Sequence, residues 1–140
     1  MIEGATGYQD LDLVLLIVNS GLPPVKVTKI QAQGGSTIAF MGFPLGIGPT
    51  DVITNTGVIS GFRQNEYVSG LPVPVYTLSA FANPGDSGGP VFKLDSGEVV
   101  GIINQRMDNV QGVVISTAVF EDFITELKNI AKQRGYPVRG

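Results

Sequence analysis

The stretch Asn83-Pro84-Gly85-Asp86-Ser87-Gly88-Gly89-Pro90-Val91-Phe92 combines one hydroxyl group, that of Ser87, with two prolines and three glycines. Proline fixes the φ angle of the backbone that leads to the serine, whereas glycine accepts positive φ angles and lets another backbone come close. A loop of this composition can expose a hydroxyl and turn peptide N–H groups toward a bound oxyanion. The alternative is a Gly-rich turn between two strands, but average residue frequencies give the string GDSGGP a chance probability of about 10⁻⁵ in a chain of this length. We therefore interpret the stretch as a nucleophile loop.

The composition excludes several classes of function. The 140 residues suit one domain, and 43% hydrophobic against 15% charged residues indicates a compact chain rather than disorder. A net charge of −3 argues against nucleic-acid binding. The absence of Cys removes disulfides and thiolate catalysis, and the absence of His removes the commonest catalytic base. The longest apolar run, Leu13–Val18, is too short to span a bilayer.

Short strand-like runs separated by turn residues occupy most of the chain. In Val25–Ile30 the apolar residues alternate at the start, as in a strand with one buried face. Asp95-Ser96-Gly97 has the chemistry of a hairpin turn. The regular spacing predicts a small antiparallel barrel or sandwich. The runs are 25–30, 36–43, 52–62, 73–82, 89–94, 99–104 and 112–117.

Both ends of the chain differ from this pattern. Residues 1–9 have no clear period and are expected to be a lead-in, 10–18 begin with carboxylates and continue as a buried strand, and Asn19–Pro24 is a turn or linker. From Phe120 the apolar residues follow a helical stripe, which predicts a helix docked on the barrel. A membrane-surface helix is the alternative, but the polar face carries both signs of charge. The residues available as caps are Ser116 or Thr117 at the start and Gly135 at the end.

Taken in order, these segments resemble the C-terminal part of a chymotrypsin-fold serine protease, most closely the HtrA type. The nucleophile loop is the specific match, and the other matches are weaker but come in the right order. They are Asp10–Leu16 with Asp12 at the position of the triad aspartate, Gly42–Gly46, Thr56–Ser60, Val99–Asn104 and the segment from Ser116 onward.

The resemblance implies an all-β fold with a C-terminal α-helix. Its main part would be an antiparallel six-stranded β-barrel, the second barrel of a trypsin-like protease, preceded by one strand of the first barrel. Residues 1–24 would be the lead-in and the last part of the first barrel, 25–118 the C-terminal barrel, and 119–140 the closing helix and tail. A missing N-terminal barrel would leave the strand Leu13–Val18 with open edges, which predicts a homo-oligomer or strand exchange.

The resemblance also implies a serine endopeptidase mechanism without a cofactor or metal. Ser87 would attack a peptide carbonyl, the backbone N–H groups of Gly85 and Ser87 would form the oxyanion hole, and Asp12 would orient the base. The segment that carries the family's catalytic histidine lies upstream of anything in this sequence. The chain alone is therefore expected to be inactive. Asp12 has a simpler alternative as a strand-entry carboxylate, and the partner of Asp86 is left open.

Substrate contacts follow from the same resemblance. Phe81 and Ala82 stand where trypsin-like relatives have pocket-floor residues, and since neither carries a charge, the expected substrate side chain is apolar or small. Asn104, Gln105 and Arg106 stand where relatives bind an extended peptide or protein substrate by its main chain. An ordinary edge strand and turn is the alternative for Gln105 and Arg106.

Two further hypotheses remain at this point. A non-catalytic barrel could retain the fold as a peptide-binding or interaction module, or a partner chain could complete the site. The family resemblance also suggests an extracytoplasmic location, periplasmic or secreted.

Overall fold

Eight strands and one helix make up the described part of the chain. The computed structural model describes residues 2–8, 13–44, 51–66, 72–104 and 113–138. The elements in chain order are β1 (Ile2–Tyr8), β2 (Leu13–Val18), β3 (Thr37–Gly42), β4 (Ile53–Glu66), β5 (Pro72–Ser79), β6 (Pro90–Lys93), β7 (Val99–Asn104), β8 (Val113–Ala118) and α1 (Glu121–Gln133).

Strands β3 to β8 form a closed barrel in the order β3-β4-β5-β8-β7-β6, with every neighbouring pair antiparallel. Alternation directs one set of side chains inward: on β3, Ile38 and Phe40 are fully buried whereas Thr37 and Met41 are exposed. The predicted six-stranded antiparallel barrel with a C-terminal helix is confirmed. The largest core side chains are Ile38, Phe40, Ile59, Tyr76, Leu78, Val91, Val100 and Ile103.

A second, two-stranded antiparallel sheet pairs β1 with β2. The expectation of a lead-in before a single strand was wrong, because residues 2–8 form a strand of their own. Gly4 and Gly7 interrupt the side-chain alternation that would have identified it. The assignment of this sheet to a first barrel stays a prediction.

The connecting segment, Asn19–Ser36, joins the two sheets and packs along the barrel. The prediction of a strand over Val25–Ile30 was wrong, since this part forms only an isolated parallel bridge between Val27 and Val99. The reason is that β3 pairs with β6 and closes the barrel, so no edge remains for another strand. The segment is held instead by single hydrogen bonds, among them the Thr28 N–H to the Val99 carbonyl oxygen at 3.0 Å.

The predicted C-terminal helix is present as α1, but the strand that it contacts most is β1 rather than a barrel strand, and its Glu121 N–H donates to the Thr28 carbonyl of the connecting segment. Leu127 and Ala131 are buried, and the Phe120 ring lies 6.4 Å from the Phe62 ring. The expected start was wrong: the cap residue is Phe120 without a side-chain cap bond, whereas Ser116 and Thr117 are buried in β8, where strand pairing holds them.

The end of α1 agrees with expectation. Gly135 has φ of +83°, and its N–H donates to the Lys132 carbonyl while the Tyr136 N–H donates to that of Ala131, which is a Schellman cap. No helix among the described residues has the length and apolarity needed to cross a membrane.

Candidate active site

The nucleophile loop between β5 and β6 begins with a tight turn. The Asp86 N–H donates to the Asn83 carbonyl at 3.0 Å, with Pro84 second and Gly85, at φ of +105°, third. A positive-φ glycine in third position is what a type II turn requires, and proline is common in second position. A Cβ on Gly85 would overlap the Phe43 carbonyl, and the Phe43 N–H donates to the Gly85 carbonyl at 3.2 Å. Glycine is therefore required here for both backbone angle and space.

A second turn presents the serine. The Gly89 N–H donates to the Asp86 carbonyl at 3.0 Å, and Gly88 has φ of +83°. Two bonds fix this turn to β7: the Gly88 N–H to the Ile103 carbonyl at 2.8 Å and the Ile103 N–H to the Gly89 carbonyl at 2.9 Å. Ser87, at the top of the turn, is exposed. An exposed hydroxyl thus stands on a loop tied to a rigid strand.

The two predicted oxyanion donors lie on either side of Asp86. In the hydrogen bonds of the described residues, the N–H groups of Gly85 and Ser87 are not used as donors, whereas those of Asp86, Gly88 and Gly89 are. Free N–H groups in a fixed turn are what an oxyanion hole needs, because they require no rearrangement when charge develops. The role of Gly85 and Ser87 as this hole stays a prediction.

The buried Asp86 side chain stabilises the loop from its inner side. Its side chain is completely buried, and Oδ2 accepts the Asn83 N–H at 2.8 Å. Among the described residues Oδ1 has no hydrogen-bond partner. A Cβ on Gly42 would overlap this carboxylate oxygen, so the carboxylate lies directly against the backbone of β3.

A cleft of about 450 Å³ opens beside Ser87. Sequence reasoning did not identify its apolar lining side chains, Met41, Phe43, Val52 and Pro90. Gly42-Phe43-Pro44 was recognised only as a turn, because nothing local shows that it faces the nucleophile loop. Only the structure shows that the two segments meet, through the tight packing of Gly42 and Gly85 on their neighbours.

The predicted substrate residues are only partly brought together. Asn104 is the last residue of β7. It follows Ile103, whose N–H and carbonyl both form hydrogen bonds with the nucleophile loop. Ala82 packs against the barrel core, whereas the Phe81 side chain is 78% exposed. Their substrate contacts stay predictions. Asp12, Gln105 and Arg106 lie outside the described residues.

A family model described as a trypsin-like peptidase domain matches residues 3–102. The chain belongs to this family. The nucleophile loop and four of the six barrel strands fall within the matched range.

Curated relatives are Do-like and DegP-like proteases. The chain is 33% identical to Protease Do-like 2, chloroplastic, of Arabidopsis thaliana, over 94% of this chain and 23% of the relative. It is 32% identical to a probable periplasmic serine endoprotease, DegP-like, of Ectopseudomonas mendocina, over 98% of this chain and 28% of the relative. The chain thus spans about a quarter of the length of these relatives.

Solved structures support the fold. The active form of the Rv3671c protease from M. tuberculosis superposes with a TM-score of 0.76 at 19% identity, covering 99% of this chain and 60% of that one. The HtrA-type protease AlgW with a decapeptide gives a TM-score of 0.66 at 22% identity, covering 85% and 36%. The resemblance to a trypsin-like, HtrA-type protease is confirmed.

Proposed function

We propose that this chain is the nucleophile-bearing C-terminal lobe of a serine endopeptidase. The observation that carries the proposal is the double turn at Asn83–Gly89, which exposes Ser87 and leaves the N–H groups of Gly85 and Ser87 unused within the described hydrogen bonds. Membership of the trypsin-like peptidase family supports the reaction class.

The proposed reaction is acyl transfer. Ser87 Oγ forms a bond to the carbonyl carbon while a base removes its proton. The carbonyl oxygen becomes an oxyanion that accepts hydrogen bonds from the N–H groups of Gly85 and Ser87. Collapse breaks the C–N bond, and the base returns the proton to the leaving amine. Water then hydrolyses the ester at Ser87 by the same steps.

The base must come from outside this sequence, which contains no histidine. A serine hydroxyl is a weak nucleophile without one. Asp12 is proposed to orient that base. Removing a triad member typically leaves a residual rate of about 10³- to 10⁴-fold over water. We therefore propose that the 140-residue chain alone is close to inactive and that a further segment or a partner chain completes the site.

The proposed substrate preference rests on the uncharged side chains of Phe81 and Ala82. Phe81 and Ala82 are proposed to receive an apolar or small side chain, and Asn104 to flank a substrate main chain that extends along β7. Relatives named periplasmic and chloroplastic support a location outside the cytosol, and an extracytoplasmic location is part of the proposal.

The lack of histidine also favours a second candidate, a non-catalytic barrel that binds peptides. A fluorophosphonate probe separates the two, because it labels only a serine that can be activated. We expect negligible labelling of the chain alone, and labelling when a high concentration of imidazole supplies the base. A longer form of the protein that carries a histidine segment should be labelled without imidazole.

The controls are Ser87→Ala and Ser60→Ala, the latter removing another exposed serine. Labelling should disappear in the first and persist in the second. If neither imidazole nor a histidine-bearing longer form produces labelling of Ser87, the endopeptidase proposal is wrong and the binding module is favoured.

A further inference from the structure

Two buried polar atoms lack a hydrogen-bond partner among the described residues: Asn55 Nδ2 and Asp86 Oδ1. One is a donor and the other an acceptor, so each is what the other needs. Buried polar groups are almost always paired, because an unpaired group loses its bonds to water without compensation. Two complementary exceptions in one small barrel are therefore informative if they lie close together.

The register of β3 and β4 places Asn55 on the same face of the sheet as Gly42, the residue that the Asp86 carboxylate contacts. Asn55 pairs with Phe40, whose side chain is fully buried in the barrel. Directly opposite residues on antiparallel strands project from the same face, so the Asn55 side chain projects inward as well. Gly42, which pairs with Ile53, lies diagonally opposite Asn55 on that face. Such diagonal neighbours are separated by about 7–8 Å.

Asp86 occupies the inner face at Gly42. A Cβ on Gly42 would overlap Asp86 Oδ1, so this oxygen stands in the place of the missing side chain. The segment leaving β5 passes over β4 nearby, since a Cβ on Gly57 would contact Ser79 and Ala80. Along the inner face of β4, Asn55 stands between Gly57, where Ser79 and Ala80 approach, and Ile53, which pairs with the Gly42 that Asp86 contacts.

Asp86 is the residue shared by both turns of the nucleophile loop. Its N–H closes the first turn on Asn83, its carbonyl closes the second on Gly89, and its Oδ2 accepts the Asn83 N–H. Fixing its carboxylate therefore fixes the two turns together, and with them the directions of the N–H groups of Gly85 and Ser87.

We propose that Asn55 is a positioning residue of the nucleophile loop. Its Nδ2–H donates to Asp86 Oδ1, directly after a small side-chain rotation or through one buried water, and this bond holds the oxyanion-hole turns in place. The inference rests on the proposed function of Ser87 for its catalytic consequence, but the pairing of Asn55 with Asp86 stands apart from it.

An exchange of the two side chains tests the pairing. Asn55→Asp places one carboxylate against another, and Asp86→Asn replaces the acceptor with an amide. The double variant restores a donor facing an acceptor in nearly the same volume. We expect both single variants to lower the unfolding midpoint in urea and the double variant to recover most of the loss, a non-additivity that measures the coupling.

The second readout is the rate at which a fluorophosphonate labels Ser87 with imidazole present. We expect Asn55→Asp to slow labelling about 10- to 100-fold, as small misplacements of catalytic groups do. The double variant should regain the rate. Asn129→Asp, the same substitution at an exposed position of α1, should leave both readouts unchanged.

The outcomes separate the two proposals. Additive effects of the single variants on stability would overturn the pairing, whatever the labelling rates. Coupled stabilities with an unaffected labelling rate would show that the pair does not position the loop. Coupled stabilities without any labelling of the unsubstituted chain would retain the pairing and reject the endopeptidase.

Discussion

The barrel and the β1–β2 sheet of this chain are built from similar residues but differ in how completely they are enclosed. Each of the six barrel strands has a neighbour on both sides, whereas β1 and β2 pair only with each other in the described part of the chain. A pair of strands is marginally stable in water unless it packs against another element, and here the β1 strand contacts α1. The barrel side chain of Leu78 is fully buried, whereas Leu16 on β2 is 50% exposed.

This difference bears on two parts of the proposed site, the nucleophile loop and the aspartate that is proposed to orient a base. The nucleophile loop is fixed by bonds to β7 and by packing on β3, both within the barrel. The loop is therefore preorganised without the β1–β2 sheet. Asp12, which is proposed to orient a base, stands between β1 and β2 in the sequence. We therefore expect the nucleophile loop to form more reliably in this chain than the proposed contact between Asp12 and a base.

The largest contrast is expected from the same truncation in the two regions. Leu78→Ala removes a buried side chain between β4 and β8 and should lower the free energy of unfolding by about 2–5 kcal/mol. Leu16→Ala should change it by no more than about 0.5 kcal/mol, because half of that side chain already meets water. Urea unfolding followed by circular dichroism measures both. Equal losses would show that the β1–β2 sheet is as well packed as the barrel.

The open sheet should also drive self-association. Leu16 and Val18 leave β2 with exposed apolar side chains, and unpaired strand edges pair readily with other chains. We expect the light-scattering mass to rise with concentration above that of one chain. Leu16→Lys should suppress the rise, since a charge on an edge strand opposes pairing. Leu94→Lys changes a similarly exposed leucine in the β6–β7 hairpin of the barrel and should not suppress it. A monomeric mass at all concentrations would contradict the prediction.

Much of the barrel could be predicted because its strands are regular. The run Val99–Asn104 was predicted with the limits that the structure gives, and the Asp95-Ser96-Gly97 turn joins β6 to β7 as expected. Val25–Ile30 has the same alternation but lacks a strand edge to join, which only the closure of the barrel reveals. Strand β1 was missed because its glycines hide the period.

The site divides in the same way. The exposed Ser87 and its turns follow from the order of residues in one short stretch. Asn55, flanked by Thr54 and Thr56, has no local feature that identifies its Nδ2 as a buried atom. The inward direction of its side chain depends on the register of β4 against β3, for which a single sequence gives no signal.

The connecting segment links the two regions, and Tyr76 should hold part of it to the barrel. The buried Tyr76 hydroxyl accepts the Ala32 N–H at 2.9 Å. Tyr76→Phe leaves this buried N–H without a partner and should cost about 1–3 kcal/mol of unfolding free energy. Tyr136→Phe removes a more exposed hydroxyl and serves as the control.

The stability that comes from burying the neutral Tyr76 hydroxyl should depend on pH. Burial raises the pKa of Tyr76 above its ordinary 10.0, against a smaller opposite effect of the bond from Ala32. The folded chain therefore holds this proton more tightly than the unfolded chain, and the associated stability is lost as pH rises above 10.0 toward the raised pKa. Urea midpoints at neutral and alkaline pH should converge between the original chain and Tyr76→Phe. A constant difference would contradict the assignment.

The smallest effect is expected at the ion pair between Lys26 and Glu98, whose Nζ and Oε1 are 2.7 Å apart. The hydrogen bond from Lys26 holds the pKa of Glu98 below its ordinary 4.5, so the pair stabilises the fold above that pH and its contribution is lost as pH falls through the lowered pKa. Glu98→Gln should lower the melting temperature slightly at neutral pH, less so in high salt, and not at all in acid. Asp95→Asn, which breaks the neighbouring pair with Lys93, controls for loss of a surface charge. If Glu98→Gln has no effect at any pH, the backbone bonds at Thr28 and Val99 hold the segment to the barrel without the ion pair.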